Sequence, residues 1–319
     1  MRFFFTVFII LGLLFSCSDK NQYKIDVSKV NVDFSVERYD VDFYNATKAT
    51  LSNVKKKYPY LFPDLFTDSL SLAKINSTQE QELFAETQKI YQDFSTYENQ
   101  FKNLFKHIKY YNPRFKAPDV ITILSNITYE DRVIYADSLL LVSLDVYLGK
   151  NHPFYNDFPK YIKENTTKEH LIVDVANAII DKQIYTSTKR RLIDKMIYEG
   201  KKMYLLDAYL PSVSAKEKIG YSPEKLDWAV ANEQEIWSFF IEKNLLFSSD
   251  TQLSKRFLDN APFSKFYTAE DNATPGKIGV WLGWQIVNSY MQFNDVSLQK
   301  LIETDEDIIF KKSKYKPKK

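Results

Sequence analysis

A glutamate interrupts an otherwise apolar helix face in the segment MIYEGKKMYLLDAYLP, residues 196–211. The apolar positions Leu192, Met196, Met203 and Leu206 are spaced four, seven and three residues apart, which places them on one face of a helix. Glu199 falls in the gap of this stripe. Burying a lone carboxylate costs free energy unless a donor or a cation pairs with it. We therefore expect Glu199 to be largely buried and bonded to a neighbouring donor.

A second set of polar residues could bind a metal ion together with Glu199. His170, Asp174, Asn177 and Asp181 are spaced four, three and four residues apart, so they share one stripe of a helix. His170 and Asp174 could reach the same metal ion, and Glu199 would complete an unusual trio of ligands. The alternative is that this stripe is the solvated or loop-facing side of an amphipathic helix. The apolar side of that helix would then consist of Leu171, Val175, Ala178 and Ile179.

The order of the predicted elements resembles that of the gluzincin metallopeptidases. In those enzymes a sheet precedes an H-E-x-x-H helix, which supplies two zinc ligands and a general base, and a later helix supplies a glutamate as third ligand. The segment around Glu199 is similar to the third-ligand helix. The H-E-x-x-H positions, however, would be Asp174, Val175, Ala176, Asn177 and Ala178. Val175 cannot act as a base and Ala178 cannot bind a metal, so the resemblance implies a degenerate fold without catalytic residues, metal or cofactor. A hydrolase that uses His170, Asp174 and Glu199 as unorthodox ligands is the alternative.

The segment TPGKIGVWLGWQIVNSYM begins at Thr274. It contains three of the seven glycines of the chain, and these three span only eight residues. Gly276, Gly279 and Gly283 would each cost about 1 kcal/mol relative to alanine inside a helix. Close approach of another backbone along this face would compensate that cost. Trp281 and Trp284 flank the glycines, and the face is either a tightly packed part of the core or the wall of a peptide groove. If it is a packing face, we expect it to contact the helix of residues 166–185, near Ala176 and Ala178.

The elements that position these residues are strands early in the chain and helices late. Alternating apolar residues over 30–36 and β-branched or aromatic runs between 119 and 149 predict a small sheet. Helices are predicted from caps and apolar spacing over 77–94, 166–185, 191–210 and 222–247, and from Thr274 onward. We therefore predict one α+β, mostly α-helical domain over residues 28–319, with the sheet-containing part ending at about residue 150.

The N-terminal segment predicts a lipoprotein signal peptide. An apolar run over residues 3–15 follows Met1 and Arg2 and ends in Leu-Phe-Ser-Cys, with Cys17 as the only cysteine of the chain. A membrane-spanning helix needs about 20 apolar residues, so this run is too short for one. We predict that residues 1–16 are removed, that Cys17 is the lipidated first residue of the mature protein, and that 17–27 form a tether. A secreted protein with a free thiol is the alternative.

Composition and missing motifs exclude several functional classes. The 319 residues carry 43 basic and 41 acidic side chains, so no overall field would attract nucleic acid. Neither a phosphate-binding loop, nor a dinucleotide-binding glycine motif, nor a G-x-S-x-G nucleophile motif occurs. One cysteine allows no intramolecular disulfide.

Several segments taken together resemble the GldB gliding motility lipoprotein family over nearly the full length of the chain. They are the lipobox-like LFSC, IYEGKKMYLLDAYLP, TPGKIGVWLGWQIVNSYM and the ending IIFKKSKYKP, in a tyrosine-rich sequence. The resemblance implies a non-catalytic, lipid-anchored protein of the bacterial cell envelope that faces the periplasm. It also implies a gluzincin-like fold, partners among the other proteins of the gliding or secretion machinery, and no catalytic residue.

Overall fold

The computed structural model describes residues 25–136, 138–185 and 187–318. The predicted signal peptide, Cys17 and most of the predicted tether lie outside these ranges. The described chain is 55% helical and contains one small four-stranded sheet before its later helices. The predicted α+β, mostly α-helical class is therefore confirmed.

The sheet consists of β1 (Val36–Glu37), β2 (Asp119–Ile123), β3 (Val133–Ala136) and β4 (Leu139–Ser143). Its strand order is β1-β2-β4-β3; β1 and β4 run parallel to β2, and β3 runs antiparallel to β4. Val120 pairs with Leu140, and both side chains are fully buried. The edge strand β3 begins directly after Arg132, and this placement brings Arg132 to the later helices.

Five α-helices lie between β1 and β2 in the chain: α1 (Tyr39–Tyr44), α2 (Leu51–Lys57), α3 (Asp68–Ile75), α4 (Thr78–Tyr91) and α5 (Ser95–Tyr111). The later helices are α6 (Lys160–Lys163), α7 (Leu171–Gln183), α8 (Leu192–Tyr209), α9 (Ala215–Ile219), α10 (Pro223–Ala231), α11 (Glu233–Glu242), α12 (Gln252–Phe257), α13 (Ile278–Phe293), α14 (Leu298–Glu303) and α15 (Glu306–Ser313). Helix α8 is buried around most of its circumference and contacts α5, α7, α13 and α15.

Several predicted helix boundaries are wrong. Residues 166–170 form turns, and α7 begins at Leu171 with His170 at its N-cap, so Thr166 is not a helix cap. Ser222 does cap its helix by accepting from the amide of Lys225, but the helix predicted over 222–247 is interrupted at Asn232.

The glycine-rich segment is the seam between α13 and α8. A Cβ added at Gly283 would overlap the carbonyl oxygen of Met196, and one at Gly200 would overlap the carbonyl oxygen of Gly283. Two helix backbones therefore touch here without intervening side chains. The prediction that this face contacts the helix of residues 166–185 is wrong, because its partner is α8.

Gly276 is not part of the helix, since α13 begins at Ile278. It lies in a turn where an added Cβ would overlap the backbone of Ala261. Trp281 and Trp284 are both buried, and the indole Nε1 of Trp284 donates to Asp207 at 2.8 Å. These tryptophans are core residues, and the glycine face is covered by protein.

Candidate functional site

A polar cavity of about 360 Å³ lies between α7, α8, α9 and the start of α13. Its lining includes seven charged side chains: Arg132, Asp174, Asp181, Glu199, Lys202, Lys218 and Lys277. The stripe of α7 that sequence analysis assigned either to a metal or to solvent therefore faces this cavity at Asp174, Asn177 and Asp181. We call it the polar cavity below.

Asp174 is held by a forked ion pair with Arg132. The guanidinium Nε and Nη2 donate to the two carboxylate oxygens at 2.7 and 2.9 Å, and the hydroxyl of Tyr147 donates to one of them at 2.8 Å. Burial favours the neutral acid, but the neighbouring His170 and Arg132 outweigh it and lower the pKa of Asp174 below its usual value. Arg132 also stacks over the ring of Tyr129, 4.1 Å from its centroid. Asp174 is thus an ionised residue whose two oxygens are already bonded.

His170 lies next to Asp174 and faces a different partner. Its Nε2 is 3.7 Å from Asp174, beyond hydrogen-bond distance, and its Nδ1 is 2.9 Å from the carboxylate of Glu217. The side chain is buried at the N-terminus of α7. The imidazole therefore links α7 to α9.

Glu199 pairs with a lysine one turn further along α8. The Nζ of Lys202 is 3.2 Å from Glu199 and 2.9 Å from Asp181, so two carboxylates share one ammonium. The side chain of Glu199 is 30% exposed. Glu199 is thus only partly buried, because the gap in the apolar stripe opens onto the polar cavity, while the expected bond to a neighbouring donor is made by Lys202.

These residues do not fit a zinc site. Ala178 offers no ligand atom, Val175 offers no base, and Arg132 occupies both oxygens of Asp174. Within the described ranges, no group of three or more histidine, cysteine, aspartate or glutamate side chains could hold a metal ion. The alternative trio of His170, Asp174 and Glu199 is therefore not assembled as a metal site.

A second buried ion pair closes one side of the polar cavity. The Nζ of Lys218 donates to Asp207 at 2.8 Å, and Trp284 donates to the other oxygen of the same carboxylate. Burial raises the pKa of Asp207, and its interaction with Lys218 opposes that shift. This pair joins α8, α9 and α13.

Lys277 differs from the other cations of the cavity. It stands immediately before α13 with φ +54°, a left-handed conformation that costs roughly 1–2 kcal/mol for a residue other than glycine. Its Nζ donates to the carbonyl oxygen of Ile219 at 2.7 Å. Removal from water lowers the pKa of Lys277 to about 8, although Asp174 and Glu199 oppose the shift.

Lys277 also lines a second and larger space, a cleft of about 970 Å³. Its cationic residues are Lys150, Lys160, Lys163, Lys225 and Lys277, and we call it the lysine cleft. Lys225 donates to three backbone carbonyls of residues 272–274 at 2.6–3.1 Å, which satisfies its ammonium. Lys277 is thus in the wall shared by the cleft and the polar cavity.

The family comparison identifies the chain. The sequence model described as gliding motility protein GldB matches residues 20–317. The chain belongs to the GldB family. Neither a curated protein nor a solved structure matches it. In the part of this GldB-family chain that the structure describes, no helix has the length and apolar character needed to cross a membrane. Membership places the protein in gliding motility.

Sequence reasoning missed three residues of the site in this GldB-family chain: Arg132, Lys202 and Lys277. Lys202 follows Glu199 by three residues, so helical spacing alone could have identified it. Lys277 lies between Gly276 and the first residue of α13, and nothing in the sequence signals its left-handed backbone. Arg132 is 42 residues before Asp174, and only the sheet brings the two together.

Proposed function

We propose that the chain is a lipid-anchored, non-catalytic component of the gliding machinery, held in the cell envelope and facing the periplasm. The observation that carries the non-catalytic part is the fork of Arg132 on Asp174. In the resembling metallopeptidases this position supplies the first zinc ligand. Here both of its oxygens serve an ion pair inside the protein.

The fold itself supports a degenerate gluzincin-like origin. The sheet precedes α7, and α8 carries Glu199 toward the same cavity that Asp174 lines. Arg132 and Lys202 stand beside these carboxylates and supply positive charge. We infer that ion pairs took over the role of balancing these carboxylates.

Substituting His170 tests this proposal against the metal-dependent hydrolase. His170→Gln removes a ligand of the alternative trio but leaves in place both hydrogen bonds from Arg132 to Asp174. We expect cells that carry it as their only copy to glide like the wild type, because His170 is a structural residue in the proposal and the glutamine amide can still donate to Glu217. Gliding is scored by colony spreading, and immunoblotting shows that the variant accumulates. Loss of gliding with normal accumulation would favour the hydrolase.

Membrane attachment rests on Cys17, which lies outside the described residues. The proposed partners are the membrane, through the lipid, and other gliding or secretion machinery proteins; no nucleic acid is among them. Acyl chains contribute about 0.8 kcal/mol per buried methylene, so two or more chains give firm attachment.

Cys17→Ala is expected to abolish lipidation and release the protein from membranes. The measurements are fatty-acid labelling and cell fractionation, with Ser18→Ala as the matched control that should behave as wild type. Labelled Cys17→Ala protein that still fractionates with membranes would contradict the lipid anchor. Failure of this test would leave the non-catalytic assignment intact, because that assignment rests on Asp174.

A further inference from the structure

Most charged side chains that line the polar cavity belong to ion pairs. One positive charge and one negative charge are not balanced in this way. Arg132 pairs with Asp174, and Lys218 pairs with Asp207. These two pairs leave no net charge. The remaining charged groups of the lining are Asp181, Glu199, Lys202 and Lys277.

The positive exception is Lys277. Its Nζ donates to one backbone carbonyl, and no carboxylate of the described residues lies within ion-pair distance of it. An ammonium has three donors, so two remain for a ligand. The residue lines both the polar cavity and the lysine cleft, which gives a ligand a way to reach it.

The negative exception is the pair of carboxylates on Lys202. Asp181 and Glu199 share this one ammonium, at 2.9 and 3.2 Å, and together they keep one uncompensated negative charge. Both carboxylates are partly exposed to the cavity and can accept further hydrogen bonds. Among the described residues, the cavity thus has one cation without a carboxylate partner, Lys277, and two carboxylates that share a single cation, Lys202.

We infer that the polar cavity binds a small zwitterion of the α-amino acid class, with its carboxylate on Lys277 and its ammonium on Glu199 and Asp181. A ligand with both charges neutralises both exceptions, whereas a simple anion or a simple amine neutralises only one. The volume of about 360 Å³ lies at the lower end of the range for ligand pockets, roughly 300–1,000 Å³, and suits a small molecule. Met203, Ile219 and Val280 supply an apolar wall for its side chain.

The backbone conformation of Lys277 also supports a ligand site. Left-handed conformations in residues other than glycine persist where surrounding structure holds them, and they concentrate at ligand sites. Glycine would adopt φ +54° without the steric cost. A lysine is therefore retained here for its side chain, whose ammonium makes one hydrogen bond within the described residues, to the carbonyl of Ile219.

Calorimetric titration of the full chain in detergent at pH 7 tests the inference. The probes are the twenty L-amino acids and alanyl-alanine, which carries the same two charges at a larger separation. We expect at least one probe to bind with a Kd below about 1 mM. If an amino acid binds more tightly than alanyl-alanine, the ligand is a free amino acid. If the dipeptide binds more tightly, the ligand is a peptide. If no probe binds, the inference is wrong.

Analogues of the tightest probe test the charge pairing. For alanine these are propionate, which lacks the ammonium, and ethylamine, which lacks the carboxylate. Each is expected to bind at least tenfold more weakly. Equal binding of propionate and alanine would overturn the zwitterion.

Substitutions test the assigned contacts. Lys277→Met and Lys277→Gly are both expected to weaken binding at least tenfold, while Lys160→Met, which removes an exposed charge of the lysine cleft, should change it less than twofold. Lys277→Gly is also expected to melt no lower than the wild type, because glycine accepts the left-handed backbone. Binding that survives in folded Lys277→Gly, or that is lost equally in Lys160→Met, would overturn the assignment to Lys277.

Discussion

Gly283→Ala is expected to lower the free energy of unfolding by about 3 kcal/mol or more, the upper part of the range for overpacked cores. The new methyl group would overlap the carbonyl oxygen of Met196, which belongs to the backbone of α8 and cannot rotate away. The two helices would have to separate along a seam that also includes Gly200. Because α8 contacts α5, α7 and α15 as well, that separation would disturb the centre of the molecule.

Urea unfolding of Gly283→Ala measures the effect, and Gly279→Ala is the matched control. At Gly279 an added Cβ would meet the side-chain end of Leu258 at 2.8 Å and the carbonyl of Phe257 at 3.0 Å. The leucine can move, and alanine recovers about 1 kcal/mol of helix propensity, so the control should cost about 1 kcal/mol or less. Equal losses in the two variants would mean that the helices do not touch at Gly283.

The small-residue face was predictable from the sequence, but its partner was not. Three glycines near one another indicate close backbone approach, which is tightest at Gly276 and Gly283. Small residues on α7, Ala176 and Ala178, also suit a close contact, but they are not the partner. It is Gly200, the residue directly after Glu199, and a glycine in the middle of a predicted helix was a local signal for it.

Local patterns identified most elements and failed where the tertiary structure decides. The apolar runs at 119–149 do form three of the four strands, and the helix predicted over 191–210 is α8. By contrast, apolar spacing continues through Asn232, yet α10 ends at Ala231 and α11 begins at Glu233. Thr166 has the sequence of a cap but lies in a turn before α7.

The candidate site shows the same division. Helical spacing placed Asp174 and Asp181 on one stripe, and both line the polar cavity. Spacing could not show that the stripe faces charged side chains of other elements. Arg132 reaches Asp174 because it directly precedes β3, whose position depends on its pairing with β4. Such pairing between strands cannot be deduced from the local sequence.

The second large effect is expected when the ion pair of Asp174 with Arg132 is broken. Asp174→Ala is expected to lower the free energy of unfolding by about 3 kcal/mol, because removing one partner of a buried pair leaves the other charge without compensation. The carboxylate side chain is 5% exposed and the arginine 25% exposed, so Arg132 would retain only part of its hydration. The hydroxyl of Tyr147 would also lose its acceptor.

The double variant Arg132→Met with Asp174→Ala separates the pair from simple loss of contacts. Removing both charges is expected to cost less than the sum of the two single substitutions, because each single variant leaves one buried charge without its partner and the double variant leaves none. Thermal and urea unfolding of the four proteins give the coupling energy. Strictly additive losses would show that Arg132 and Asp174 do not depend on each other.

Acid should remove this contribution in the wild type. The neighbours of Asp174 lower its pKa in the folded protein, so the folded state favours the ionised form more than the unfolded chain does. The resulting stability is present above the ordinary carboxyl pKa of about 4 and is lost as the pH falls through the lower folded value. The difference in unfolding free energy between wild type and Asp174→Asn should therefore be constant near neutral pH and shrink below about pH 4. A difference that grew with acid would mean that Asp174 is protonated in the folded protein, and the account of this site as an ion-pair network would then fail.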